Sequence, residues 1–191
     1  MRIDNEIARI AIADAKTIAD ATTVLDQIDD SFGVFLMEYL EDVIEKRSAW
    51  WCEDDCFGPK DWPNMEGDYQ AYYEIAFCGD ETYWLLHAAG EQSRSLGLAL
   101  VIEPSLLGGK DYAKRLQKFF DENYEQLEGA ELLSPCFSKD KLYIVFPFKV
   151  GLKQIADEYP NWEDAVSQEF DAALRNLLKA HKVIDGFVKS L

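Results

Sequence analysis

Residues 69–88 read YQAYYEIAFCGDETYWLLHA. Ala71, Tyr73, Ile75 and Phe77 alternate with more polar neighbours, the period-2 signature of a half-buried strand. Gly79-Asp80 is a turn pair, and Thr82–Ala88 follows as a return strand with Trp84 and Leu86 on one side. Working outward, Leu96–Glu103 (LGLALVIE) is apolar enough for a central strand and is stopped by Pro104. Three strands joined by short links predict an antiparallel sheet.

Upstream, residues 6–28 carry Ile7, Ile10, Ala11, Ala15, Ile18, Val24, Leu25 and Ile28 at mostly helical spacing. Asp29-Asp30-Ser31 interrupts this pattern and offers an N-cap for a second helix over about 32–50, striped with Phe32, Phe35, Leu36, Tyr39, Leu40, Val43 and Ile44. A helical hairpin is expected at the N-terminus, with one long kinked helix as the other option. Downstream, Asp111 caps a helix over about 112–128, with Gly129 as its C′ residue. Leu132–Phe137 and Leu142–Phe148 form a hairpin, Pro147 placing the end of its second strand at a sheet edge. A short helix covers about 151–158. Asn161 with Asp164 three residues on opens a long last helix. The expected fold is α+β: an antiparallel sheet of about five strands with helices packed on it, an N-terminal helical hairpin and a long C-terminal helix. One domain is expected over 1–191, with 1–50 helical and 51–68 an acidic, aromatic loop.

Of the 191 residues, 36 are acidic and 19 basic, a net charge of -17, and -14 of it falls on the first 110 residues. Such a field repels nucleic-acid phosphates and anionic lipid. A basic protein partner is therefore expected, with no direct nucleic-acid contact. Apolar runs such as Leu96–Ile102 are too short to span a membrane. The start of the chain lacks the apolar core of a signal peptide, and the expected location is cytoplasmic.

The densest meeting of aromatic and acidic residues is AWWCEDDCFGPKDWPNME, residues 49–66. Trp50, Trp51 and Trp62 are candidate apolar anchors there. Glu53, Asp54, Asp55, Asp61, Glu66 and, just beyond, Asp68 are candidate partners for positive charge. Cys52 and Cys56 would share a face on a helical turn and are admissible as the first pair of a metal knuckle. No second Cys/His pair accompanies them, and flanking acids oppose a reactive thiolate, so no metal or other cofactor is expected. The acids lack the spacing of a calcium loop. Phosphate-binding and nucleophile-elbow motifs are absent from the sequence.

The expected function is that of a non-enzymatic acidic binding protein, which captures or neutralises a basic protein in the manner of an immunity protein or a nucleic-acid mimic. Over about residues 32–185 the order of elements and the charge resemble class I type III secretion chaperones, which implies capture of an extended effector segment; the likeness lies in topology and not in motif. Over about 32–136 the order resembles the PD-(D/E)xK nuclease core, but the third strand offers Glu103 without the lysine, which counts against activity. An enzyme with a non-local site would draw on His87, Glu74, Glu103 and Cys78. The wide apolar stripe of the N-terminal helices leads us to expect a homodimer.

Overall fold

The computed structural model describes residues 13–65, 68–78, 84, 95–133 and 142–191. The chain is α+β, as the sequence indicates. Helix α1 (Ala15–Glu45) leads into strands β1 (Trp50–Glu53), β2 (Cys56–Pro59), β3 (Asn64–Met65), β4 (Asp68–Tyr69), β5 (Ala71–Cys78) and β6 (Ser95–Ile102). Helix α2 (Tyr112–Glu122), strands β7 (Glu131–Leu133) and β8 (Tyr143–Phe148), and helices α3 (Leu152–Glu158) and α4 (Glu163–Val188) complete it. Six strands form one antiparallel sheet in the order β1-β2-β5-β6-β8-β7, while β3 and β4 pair as a separate ribbon.

Alternation along each strand divides the sheet into two faces. Phe57, Ala71, Tyr73, Ile75, Leu96, Leu98, Leu100, Ile102, Ile144, Phe146 and Phe148 point to the helices and join one large core. Against them α1 supplies Phe32, Leu36, Leu40 and Ile44, and α4 supplies Val166, Phe170, Leu174, Leu177 and Ile184. Helix α1 packs on β1, and α4 on β6 and β8. Aromatic contacts join the helices: Phe32 stacks on Trp162 at 5.4 Å, Tyr39 meets Phe170 edge-on at 5.5 Å, and Phe119 of α2 stacks on Phe187 at 4.0 Å. The opposite face of the sheet buries a smaller group, Ala76, Ala99, Val101, Tyr143 and Val145.

Several expectations are corrected. Over the described residues the expected N-terminal hairpin is the single helix α1, and residues 6–12 of the expected first helix lie outside them. Ser31, expected to cap a second helix, turns its hydroxyl back onto the Gln27 carbonyl at 2.8 Å, and the stripe through Phe32 and Leu36 keeps the helical phase, so the Asp-Asp-Ser run is absorbed. Its upper half is exposed: apart from Ile18, whose side chain is not described, this holds for every side chain from Ala13 to Gln27. The stretch 51–68 is not a loop. It contributes two strands of the main sheet and the β3–β4 ribbon, raising the main sheet from about five strands to six. The expected return strand Thr82–Ala88 lies outside the described residues except for Trp84, which is helical. Strand β5 instead pairs along its whole length with β6, from Ala71↔Ile102 to Cys78↔Ser95.

Strand β8 is interior, between β6 and β7, so the sheet edge is β7. Pro147 nonetheless lies past the end of β7, whose last partner is Val145, and there its missing N–H is tolerated. Helix α2 ends at Glu122, six residues before its expected end, and Gly129 follows in the left-handed region at φ 83°. Tyr124, within the helix expected over 112–128, follows the observed end and is 65% exposed. Helix α4 starts at Glu163 behind Trp162, with no side-chain cap from Asn161. Here the driving element is burial of the Trp162 ring against Phe32 and Phe35.

Candidate functional site

The turn Asp54-Asp55 closes the β1–β2 hairpin, with Glu53 opposite Cys56. Asp54 adopts φ 51°, a left-handed conformation that Asp tolerates better than most residues. The Asp55 carbonyl accepts the Ile75 N–H at 2.9 Å, which fixes the hairpin against β5. The register Cys56↔Glu74 and Phe57↔Tyr73 then decides which side chains share a face. Phe57 and Tyr73 enter the core. Cys56, Glu74 and Tyr72 fall on the side of the sheet away from the helices, as does Trp51, which pairs with Gly58.

On that side lies a cleft of about 260 Å³, lined by Trp51, Glu53, Asp54, Asp55, Cys56, Asp68, Tyr69 and Tyr72. Trp51 and Tyr69 stack with centroids 4.2 Å apart and planes at 13°. Gly58 admits the indole: a Cβ there would stand 3.6 Å from Trp51 Nε1, which is buried without an acceptor among the described residues. Four carboxylates belong to the lining and, among the described lining residues, no basic group does. The electrostatic consequence is visible on neighbouring groups. The Tyr72 hydroxyl is pushed well above its ordinary pKa, by burial first and then by Glu74, Glu103 and Asp55. Burial and Asp55 push the Cys56 thiol up strongly. Cys52, on the other face, is pushed up to about 11 by burial and by Glu41, Glu45, Asp54 and Asp55.

The acidic surface continues around the hairpin tip. A second depression of about 180 Å³ joins Glu38 and Glu41 of α1 to Glu53 and Asp54, with Cys52 and Met37 as its floor. The carboxylates of one helix and one hairpin therefore form a continuous ridge.

Of the residues expected to bind a partner, the cleft gathers Trp51, Glu53, Asp54, Asp55 and Asp68. Trp50 belongs elsewhere. Its ring is half-buried on the helix face, stacked on Tyr73 at 5.8 Å and close to His181 at 4.8 Å. Trp62 is 2% exposed, and its indole N–H donates to Asp185 Oδ1 at 2.8 Å. Asp61 is paired with Lys189 at 2.7 Å on that same side. Both Trp residues and Asp61 thus fasten the 50–65 segment to α4 and offer no free anchor. Glu66 lies outside the described residues.

The two cysteines, expected to share a face on a helical turn, sit on opposite faces of a hairpin, since Cys52 pairs with Phe57 and Cys56 with Glu53 and Glu74. They cannot ligate one ion together. Among the described residues no group of three or more His, Cys, Asp or Glu is placed to hold a metal. Of the residues suggested for a non-local active site, Glu103 and Cys78 lie far apart. Glu103 follows the Ile102 end of β6, beside Ala71, whereas Cys78 ends β5 against Ser95, about 23 Å along the strands. His87 lies outside the described residues.

Tyr69 and Tyr72 complete the aromatic wall. Alternation alone placed Tyr72 on the face opposite Tyr73; no local signal gave the β2–β5 pairing that brings Cys56 and the acidic turn beside it. Among the described residues six strands precede α2, more than the three on which the chaperone and nuclease resemblances rest. No family model, curated protein or solved structure matches the chain. Among the described residues no helix is long and apolar enough to cross a membrane.

Proposed function

We propose that the protein is a non-enzymatic binding protein that captures a basic segment of another protein in the cleft at the β1–β2 turn. The observation that carries this reading is the Trp51–Tyr69 stack set among Glu53, Asp54, Asp55 and Asp68, with no counter-charge among the described lining residues. A lysine or arginine side chain has an apolar stem and a cationic head. The ring faces suit the stem and contribute cation–π attraction of about 0.5–2 kcal/mol, while the carboxylates accept the N–H groups of the head. Neutralising an inhibitory or toxic basic surface is the use that best fits an acidic ridge running on from the cleft onto α1.

The test is a titration with an oligo-arginine peptide, with an oligo-glutamate peptide of equal length as control, followed by tryptophan fluorescence. Binding is expected for the basic peptide alone, weakening as salt rises. Trp51→Phe should remove most of the fluorescence change, and Tyr69→Ala should weaken binding about tenfold, the equivalent of roughly 1.4 kcal/mol. Equal binding of both peptides, or a signal that survives Trp51→Phe together with Tyr69→Ala, would rule out the cleft.

A further inference from the structure

The upper half of α1 exposes a second surface, apolar along one side. Below Ile28 the helix is covered: Phe32 and Phe35 pack on Trp162, and Tyr39 donates a hydrogen bond to Asp171 of α4 at 3.0 Å. Helix α4 begins only at Glu163, so α1 runs on past the start of its partner. The apolar stripe runs on as well. Ala21, Leu25 and Ile28 continue the line of Phe32 and Phe35 at alternating four- and three-residue steps, the spacing of a seam made for another helix. Val24 is 53% exposed, Leu25 38% and Tyr159 59%, three of the five exposed large hydrophobic residues among those described. Val24 and Tyr159 line a groove of about 360 Å³ at the foot of this half-helix. A helical segment of this length, about 20 Å, is marginal in water without tertiary cover.

We infer that a second copy of this chain covers it, the upper halves of two α1 helices packing antiparallel about a two-fold axis near Ala21. Charge selects the occupant. Residues 15–28 carry Lys16, Asp20 and Asp26, a net of -1, whereas residues 29–45 carry six acids and no base. A basic partner is drawn to the lower helix and the cleft. A copy that itself carries -17 approaches best where both surfaces are nearly neutral. Charge also sets the direction. A parallel pair would lay the acidic lower halves side by side, whereas an antiparallel pair sends the two bodies to opposite ends. Each N-terminal half then reaches the groove beside Tyr159 of the other copy, in an isologous contact.

Sedimentation of the full chain at concentrations up to about 100 µM tests this. The wild type should sediment at twice its 21.8 kDa mass. Val24→Glu/Leu25→Glu should dissociate at least tenfold more readily with its near-UV circular dichroism unchanged, and Val34→Glu, 50% exposed on another side of α1, should remain a dimer. Ala21→Cys should cross-link to itself under mild oxidation, above the background of the natural thiols, and Val34→Cys should not; this decides the matter if the double variant fails to fold. A wild type that is monomeric throughout would overturn the inference and leave the face to an unlike partner or to residues 1–12. So would a dimer that survives Val24→Glu/Leu25→Glu, or one lost equally in Val34→Glu.

Discussion

A Cβ placed on Gly97 would lie 2.6 Å from Val145 Cγ1, 2.7 Å from the Phe146 carbonyl oxygen and 2.9 Å from Pro147 Cα. Two of those three neighbours are backbone, and β6 is held on both sides by β5 and β8, so neither can retreat. Gly97→Ala is therefore expected to destabilise the fold by about 1–3 kcal/mol, the cost of overpacking a filled core, read as a lower denaturation midpoint with an unchanged slope. Glycine is here for close approach rather than for a turn, a distinction invisible within LGLALVIE. The same limit applies to Trp62. Composition made it an anchor for a partner; burial and the hydrogen bond to Asp185 make it an anchor for its own chain. Trp62→Phe keeps one aromatic ring but loses the pyrrole ring and that bond to a charged acceptor, which predicts a loss of at least about 1.5 kcal/mol and no change in peptide binding at the cleft. A loss of binding with stability intact would return Trp62 to the partner surface.

The element that positions the cleft is the 50–65 segment, and its fastening to α4 has a pH dependence of its own. Burial holds the His181 imidazole below its ordinary pKa of 6.5; Lys189 and Arg47 add to this, and Asp185 and Asp61 oppose it. Nδ1 lies 3.0 Å from the Tyr73 hydroxyl, which burial keeps protonated far above its usual range and so able to donate to the neutral ring. An unfolded chain takes up a proton at a higher pH than the folded chain does. The stabilisation is full above about pH 6.5 and is lost as pH falls below it. Asp185 is also held low, because hydrogen bonds from Trp62 and Lys189 outweigh its burial. Its contribution fades only at acidities beyond this window. Thermal unfolding between pH 7.5 and 5.5 should therefore show a falling midpoint in the wild type and a flatter one in His181→Leu; equal slopes would mean that another group titrates. What was legible in the sequence follows from the range of the interactions. The strands at 71–78, 96–102 and 143–148 and the helices at 152–158 and 163–188 declare themselves by local alternation and striping. The β1–β2 hairpin does not, because two four-residue strands, the second ending in Gly-Pro, carry no readable period, and β2 is held in the sheet by pairing with Tyr73 and Glu74, sixteen and eighteen residues away. The cleft inherits that illegibility: its acids were plain in the sequence, its aromatic wall only half so.

Across the whole molecule the question is whether -17 acts as a field or as a site. A diffuse field raises the rate of encounter with any basic partner and fades with salt, whichever carboxylates produce it. A site also holds the partner once docked. Two pairs of substitutions separate these effects. Glu53→Lys/Asp68→Lys changes two exposed strand residues in the cleft lining and leaves Asp54, whose left-handed backbone would strain most replacements, untouched. Glu125→Lys/Glu128→Lys changes two exposed residues just after α2, away from the lining. Each pair shifts the net charge by the same amount, from -17 to -13. The association rate for an oligo-arginine peptide should fall to a similar degree in both, since the overall field is equally reduced. The dissociation rate should rise about tenfold or more in the cleft variant alone, because only there is a carboxylate that accepts from the bound head group replaced by a repelling charge. Stopped-flow fluorescence at low salt gives both rates. If dissociation quickens equally in the two variants, the charge serves solubility and steering, and the cleft is not where a partner is held.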